Sequence, residues 1–171
     1  MDAEQLRQVQ APLRVKYGDD PAFARTLVTA RGDYRDPAVT CTVEGFAGPV
    51  RSGFHRATGG DGSDACSGDM LLEALLACAG VTFRSVVTAR GLTLRSASLR
   101  AEGYFDARGT LGLSRDVPVG VQDIVIMIDA DIDADDDVLE RLATTTERYC
   151  VVGQSLREPV RIQVRRVGAT G

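Results

Sequence analysis

The segment from Asp69 to Arg90, with MLLEALLACAGVTFRSVV at its heart, restricts the possible folds more than any other part of the chain. Read at helical pitch, Met70, Leu71, Leu72, Leu75, Leu76, Val81, Phe83, Val86 and Val87 leave almost no wholly polar face. A helix apolar nearly all round belongs at the centre of a domain or between two subunits. Ser67 can cap its start, Asp69 suits the first turn, and Arg90-Gly91 supplies a stop. Glu73 and Arg84 interrupt it, and it reads as too short for a membrane span. Cys78 lies in its middle.

The rest of the chain must cover this helix. With 171 residues, 44% hydrophobic and 26% charged, one ordinary globular domain with a small appendage is expected. We divide it into an N-terminal helical arm, residues 1–22, and a domain over 23–171. In the arm, Asp2 and Gln5 have capping-box spacing, and Leu6, Val9 and Leu13 are the apolar contacts of a helix over residues 2–13. Tyr17 to Pro21 reads as a loop. ARTLVTA, AVTCTVEGF and PVRSGF then read as an antiparallel meander, with Cys41 facing inward beside Val39 and Val43. After the central helix, a strand is expected with Ala97, Leu99, Ala101, Gly103 and Phe105 on one face. Residues 106–119 form a long turn, and Ile124, Ile126, Ile128, Ala130 and Ile132 mark a second strand. A helix from about Asp135 to Cys150 presents Val138, Leu142 and Tyr149, and Val160, Ile162 and Val164 form the last strand.

Several functions find little support. The formal charge of −4 offers no basic field for nucleic acid. The glycine-rich loop ATGGDGSDACS lacks the Lys-Ser/Thr or GxGxxG of a nucleotide cradle and suits a flexible lid better. Acids from Asp129 to Glu140 have EF-hand spacing, but Ala134 stands where the turn needs glycine and Asp136 where an apolar residue belongs. They read instead as strand positions running into an acidic helix start. His55 is the single histidine, so a serine triad is unsupported. The four cysteines, 41, 66, 78 and 150, have no zinc-ligand spacing. With a polar N-terminus and no export signal, a cytoplasmic location with resting thiols is expected.

SGDMLLEALLACAG, followed by a second helix ending in ERYCVVGQSL, resembles the OsmC/Ohr family of osmotically inducible and organic hydroperoxide resistance proteins. The resemblance covers roughly residues 23–167. It implies an α+β fold of antiparallel sheets around two long central helices, in an intertwined homodimer. It also implies a thiol-dependent peroxidase acting on organic hydroperoxides, with Cys78 peroxidatic, Cys150 resolving, and a dithiol as external reductant. A thiolate attack on the O–O bond gives a sulfenic acid, which a second thiol condenses to a disulfide, so neither metal nor organic cofactor is called for. The family holds its thiolate with an arginine from an N-terminal hairpin, for which Arg31 is the best match and Arg35 the next.

The chain departs from that pattern at three points. The family's Pro-Glu before the first cysteine is Ser67-Gly68 here, so the carboxylate that orients the arginine is missing. Asp69 is one residue late, and Glu73 lies about 140° round an ideal helix from Cys78. The proline after the second cysteine is Val151, and Cys66 is additional. The rival expectation is a non-catalytic member that binds a small molecule or senses redox state.

Overall fold

In the computed structural model, which describes residues 1–36 and 38–168, the chain forms two compact units. One comprises Met1–Leu27, Leu75–Glu102 and the chain from Ile124; the other comprises Val28–Ala74 and Gly103–Asp123. The elements are α1 (Ala3–Asp19), β1 (Gly32–Asp33), β2 (Cys41–Gly45), β3 (Gly48–Gly53), β4 (Ala65–Cys66) and α2 (Ser67–Ala89). Then follow β5 (Leu94–Tyr104), α3 (Ala107–Thr110), β6 (Gln122–Ile132), α4 (Asp136–Tyr149), α5 (Val151–Gln154) and β7 (Arg161–Arg166).

The first unit carries the main core. α2 buries Leu75, Ala79, Phe83 and Val87, a stripe four residues apart that repeats on one helix face. β6 contributes Ile126, Ile128, Ala130 and Ile132, and α4 contributes Leu139, Leu142, Ala143 and Thr146. The sheet runs in the order β5-β6-β7, and β6 pairs with β7 in parallel. A parallel pair needs a crossover, and α4 with α5 supplies it. α2 ends at Gly91, whose φ of 68° lets its N–H reach Thr88 O at 3.0 Å while Leu92 N–H reaches Val87 O at 3.2 Å. That double closure satisfies carbonyls a helix end would otherwise leave orphaned.

The second unit is a sheet in the order β1-β2-β3-β4, with β3 and β4 parallel. A Cβ on Gly60 would lie 1.7 Å from the Phe54 carbonyl oxygen, so the loop before β4 closes over backbone only with glycine there. His55 Nδ1 accepts from Ala57 N–H at 3.0 Å, and its ring meets Phe105 edge-on at 5.2 Å.

Several expectations need correction. Each sheet contains a parallel pair, because a connection long enough to cross over replaces the hairpin the strand pattern suggests. ARTLVTA forms no strand, and the hairpin's first strand is Gly32–Asp33, inside the expected turn. Thr42, not Cys41, is the buried residue of β2; Cys41 is half-buried and Val39 exposed. The expected turn over 106–119 opens with α3. In α4 the buried positions are Leu139, Leu142, Ala143 and Thr146, while Tyr149 is exposed. The N-terminal helix keeps the capping box between Asp2 and Gln5 but runs through Pro12 to Asp19, so Tyr17 is helical, and none of its residues is buried. At 23 residues, α2 is also long enough and apolar enough to span a bilayer, but one of its faces, through Leu75, Ala79, Phe83 and Val87, is buried within the fold.

Two acids of the 129–140 run pair with different arginines. Asp131, on β6, accepts from Arg95 Nε at 2.8 Å, and Asp136, at the start of α4, lies 3.4 Å from Arg166, the last residue of β7.

Candidate functional site

The two cysteines of the motifs come together inside the first unit. Cys78 stands on α2 one turn beyond Leu75. Cys150 closes α4 and, with extended backbone (φ −74°, ψ 102°), becomes the cap of α5. Its sulfur accepts from Gly153 N–H at 3.4 Å, and the residue is 1% exposed. Cys78 is only half-buried, and both residues are free thiols. The two thiols are near enough to influence each other's acidity.

Their surroundings push the two acidities apart. Burial works to raise the Cys78 thiol, but hydrogen bonds from the backbone N–H groups of Val152 and Val151, and from the Cys150 thiol, outweigh it, and the net effect is a lowered pKa. The Thr82 hydroxyl donates to the Cys78 carbonyl at 2.8 Å, one turn along α2. Burial pushes the Cys150 thiol up, and the neighbouring Cys78 adds to this, while the Gly153 and Val152 N–H groups act against it. Both shifts favour ionisation of Cys78 over Cys150. Such a pair can attack an electrophile at one sulfur and close a disulfide with the other.

Val151 and Val152, whose backbone N–H groups act on the Cys78 acidity, were not singled out by the sequence reading. The available signal was the absent proline after Cys150: valine has an N–H where proline has none. The remaining named residues lie in the second unit. Arg31 is exposed just before β1, its carbonyl accepting from Glu44 N–H at 2.9 Å, and it lines a hollow with Tyr34 and Cys41. Arg35 is held by Asp33, at 2.7 Å, and by Glu44, bracing the hairpin. Cys66 sits on β4 opposite Gly53. Gly68 could carry a side chain, since a Cβ there would meet the Cys66 sulfur at 3.5 Å.

An α+β fold with one cysteine on its long helix, facing a second at the end of the crossover helix, defines a class of dithiol protein. The sequence model described as OsmC-like protein matches residues 60–165, and the chain belongs to that family. Solved structures share its fold. An OsmC-like protein of unknown function from Vibrio cholerae O1 biovar eltor str. N16961 is 12% identical with a TM-score of 0.67, the match covering 82% of this chain and 100% of that one. The organic hydroperoxide resistance protein OsmC of Legionella pneumophila is 18% identical with a TM-score of 0.60, covering 84% and 99%. The organic hydroperoxide resistance protein OhrB of Bacillus subtilis is 12% identical with a TM-score of 0.55, covering 83% and 100%. No curated protein sequence matches the chain.

Proposed function

We propose that the chain is a thiol peroxidase that reduces organic hydroperoxides. The observation that supports this reading is the pair of free thiols in one compact unit, Cys78 half-buried on α2 and Cys150 buried at the end of α4. The Cys78 thiolate attacks one oxygen of the O–O bond, releasing the alcohol and leaving a sulfenic acid. Cys150 then attacks that sulfur, water leaves, and a Cys78–Cys150 disulfide forms. A dithiol restores both thiols, in keeping with a reducing, cytoplasmic setting. Arg31 is assigned the arginine role that the family resemblance gives it.

The working form is a homodimer. Along α2 only the stripe through Leu75 and Val87 is covered, while Val81 is 73% exposed. Burying the open apolar surface against a second copy contributes ~25 cal/mol per Å².

The test is consumption of cumene hydroperoxide with dithiothreitol as reductant. Wild type should turn over, Cys78→Ser should not, and Cys150→Ser should stop after one oxidation with a sulfenic acid trappable on Cys78. Consumption that persists in Cys78→Ser would sink the peroxidase reading and favour the binding or sensing one, as would a wild type that consumes none.

A further inference from the structure

A groove of about 520 Å³ lies between α1, α2 and α4, inside the first unit. α1 gives it successive turns of one face, Leu6, Gln10 and Arg14. α2 gives it Val81 and Ser85, four residues apart, with Val86 beside them, and α4 gives it Thr145. No residue of α1 is buried, so this helix stands along the groove without filling it. It also lies outside the matched span of residues 60–165, so this wall is the chain's own addition to the family's fold.

The groove pairs an apolar floor with positive charge. Leu6, Val81, Val86 and Ala89 supply hydrocarbon, while Arg14 and Arg90 supply two guanidiniums. No aspartate or glutamate lines it, although the chain as a whole carries a charge of −4. Among the described residues neither arginine makes a salt bridge. Arg14 donates to the Gln10 side-chain oxygen at 3.5 Å, and Arg90 to the Thr145 hydroxyl at 3.3 Å. A guanidinium carries several N–H donors in a planar fork that matches a carboxylate, so both arginines keep donors to spare.

We infer that this groove binds an amphiphilic carboxylate, its alkyl chain lying on Leu6, Val81 and Val86 and its charge balanced by Arg14 and Arg90. The volume falls in the range of small-molecule sites. A bare anion would leave the hydrocarbon wet, and a neutral hydrocarbon would leave the guanidiniums unanswered. The groove shares only Val81 with the exposed stripe of Ala74, Ala77, Val81 and Arg84 along α2. A bound ligand therefore leaves the rest of that stripe open to a second copy. No thiol lines the groove, so the inference stands apart from the peroxidase reading.

The experiment is titration calorimetry of the full chain with decanoate, in the absence of peroxide and reductant. Decanoate should bind saturably, and at least tenfold more tightly than decanol or decyltrimethylammonium, which keep the tail and lose or invert the charge. Acetate, which keeps the head group alone, should not bind. Arg14→Gln and Arg90→Gln, both at exposed positions, should each weaken decanoate at least fivefold and leave decanol within twofold of wild type. Ser85→Trp, which fills the groove from α2, should weaken both ligands. Equal affinity for decanoate and decanol, or arginine variants within twofold of wild type, would overturn the proposal by showing an unselective apolar patch. Absence of saturable decanoate binding would overturn it too. A mass by light scattering that then fell in Arg14→Gln would assign the groove to a contact between copies instead.

Discussion

Val151→Pro isolates the contribution of one backbone N–H to the reactive thiol. The substitution is unusually clean. Val151 is the first residue of α5, where proline is well tolerated, and Cys150 before it already has the extended backbone a following proline demands. The valine side chain is 73% exposed, so little packing is lost. What disappears is a donor that favours the Cys78 thiolate. A hydrogen bond to a charged group contributes ~1.5–3 kcal/mol. Cys78 is half-exposed and keeps the Val152 N–H and the Cys150 thiol, so we take the low end. A loss of ~1.4 kcal/mol lowers the thiolate-to-thiol ratio about tenfold at a given pH. The sign follows from the direction: removing a donor to the anion raises the pKa, so less thiolate is present below the plateau. The assay is the rate of iodoacetamide modification of the Cys78 peptide against pH, with Val151→Ala as the control that keeps the N–H. The proline profile should move to higher pH and share its plateau with the control. Superimposed profiles would refute the role assigned to this amide.

Other outcomes follow from the same geometry. Peroxide reduction by wild type should rise with pH and level off below the range in which an ordinary thiol titrates, read from initial rates in a single mixed buffer. If the proposed homodimer forms through α2, Val81→Asp, which sets a charge on its open face, should shift light scattering from dimer to monomer or aggregate; an unchanged dimer would remove α2 from the interface. The Asp106 carboxyl, held down to about 2 by the Arg108 guanidinium and then by the Arg108 N–H, should titrate near that value by NMR. Because its folded pKa is depressed, its contribution to stability is present above the unfolded value and fades as pH falls toward about 2; Asp106→Asn should remove that part of the acid dependence. Millimolar calcium should leave the melting temperature nearly unchanged, whereas a saturable rise specific to calcium would show that the acids of 129–140 act together.

The strongly periodic segments were legible because their side chains alone decide which face is buried. The apolar run around Cys78, the alternation through Ile126, Ile128 and Ala130, and the capping box of Asp2 and Gln5 all needed no distant partner to be recognised. The family, too, could be read from two motifs spaced about seventy residues apart. Weakly patterned segments went astray. ARTLVTA has strand-like composition but makes no ladder, since pairing is decided by the neighbouring strand and not by the segment itself. The parallel pairs were equally hidden, because strand direction depends on where the crossover helix packs. At the site, the sequence supplied the two cysteines and the missing proline. Only the tertiary structure brought the Val151 and Val152 amides to act on the Cys78 acidity and buried Cys150. A thiol's chemistry depends on the donors and solvent within a few ångströms, and those neighbours come from parts of the chain that meet only when α4 crosses back over the sheet.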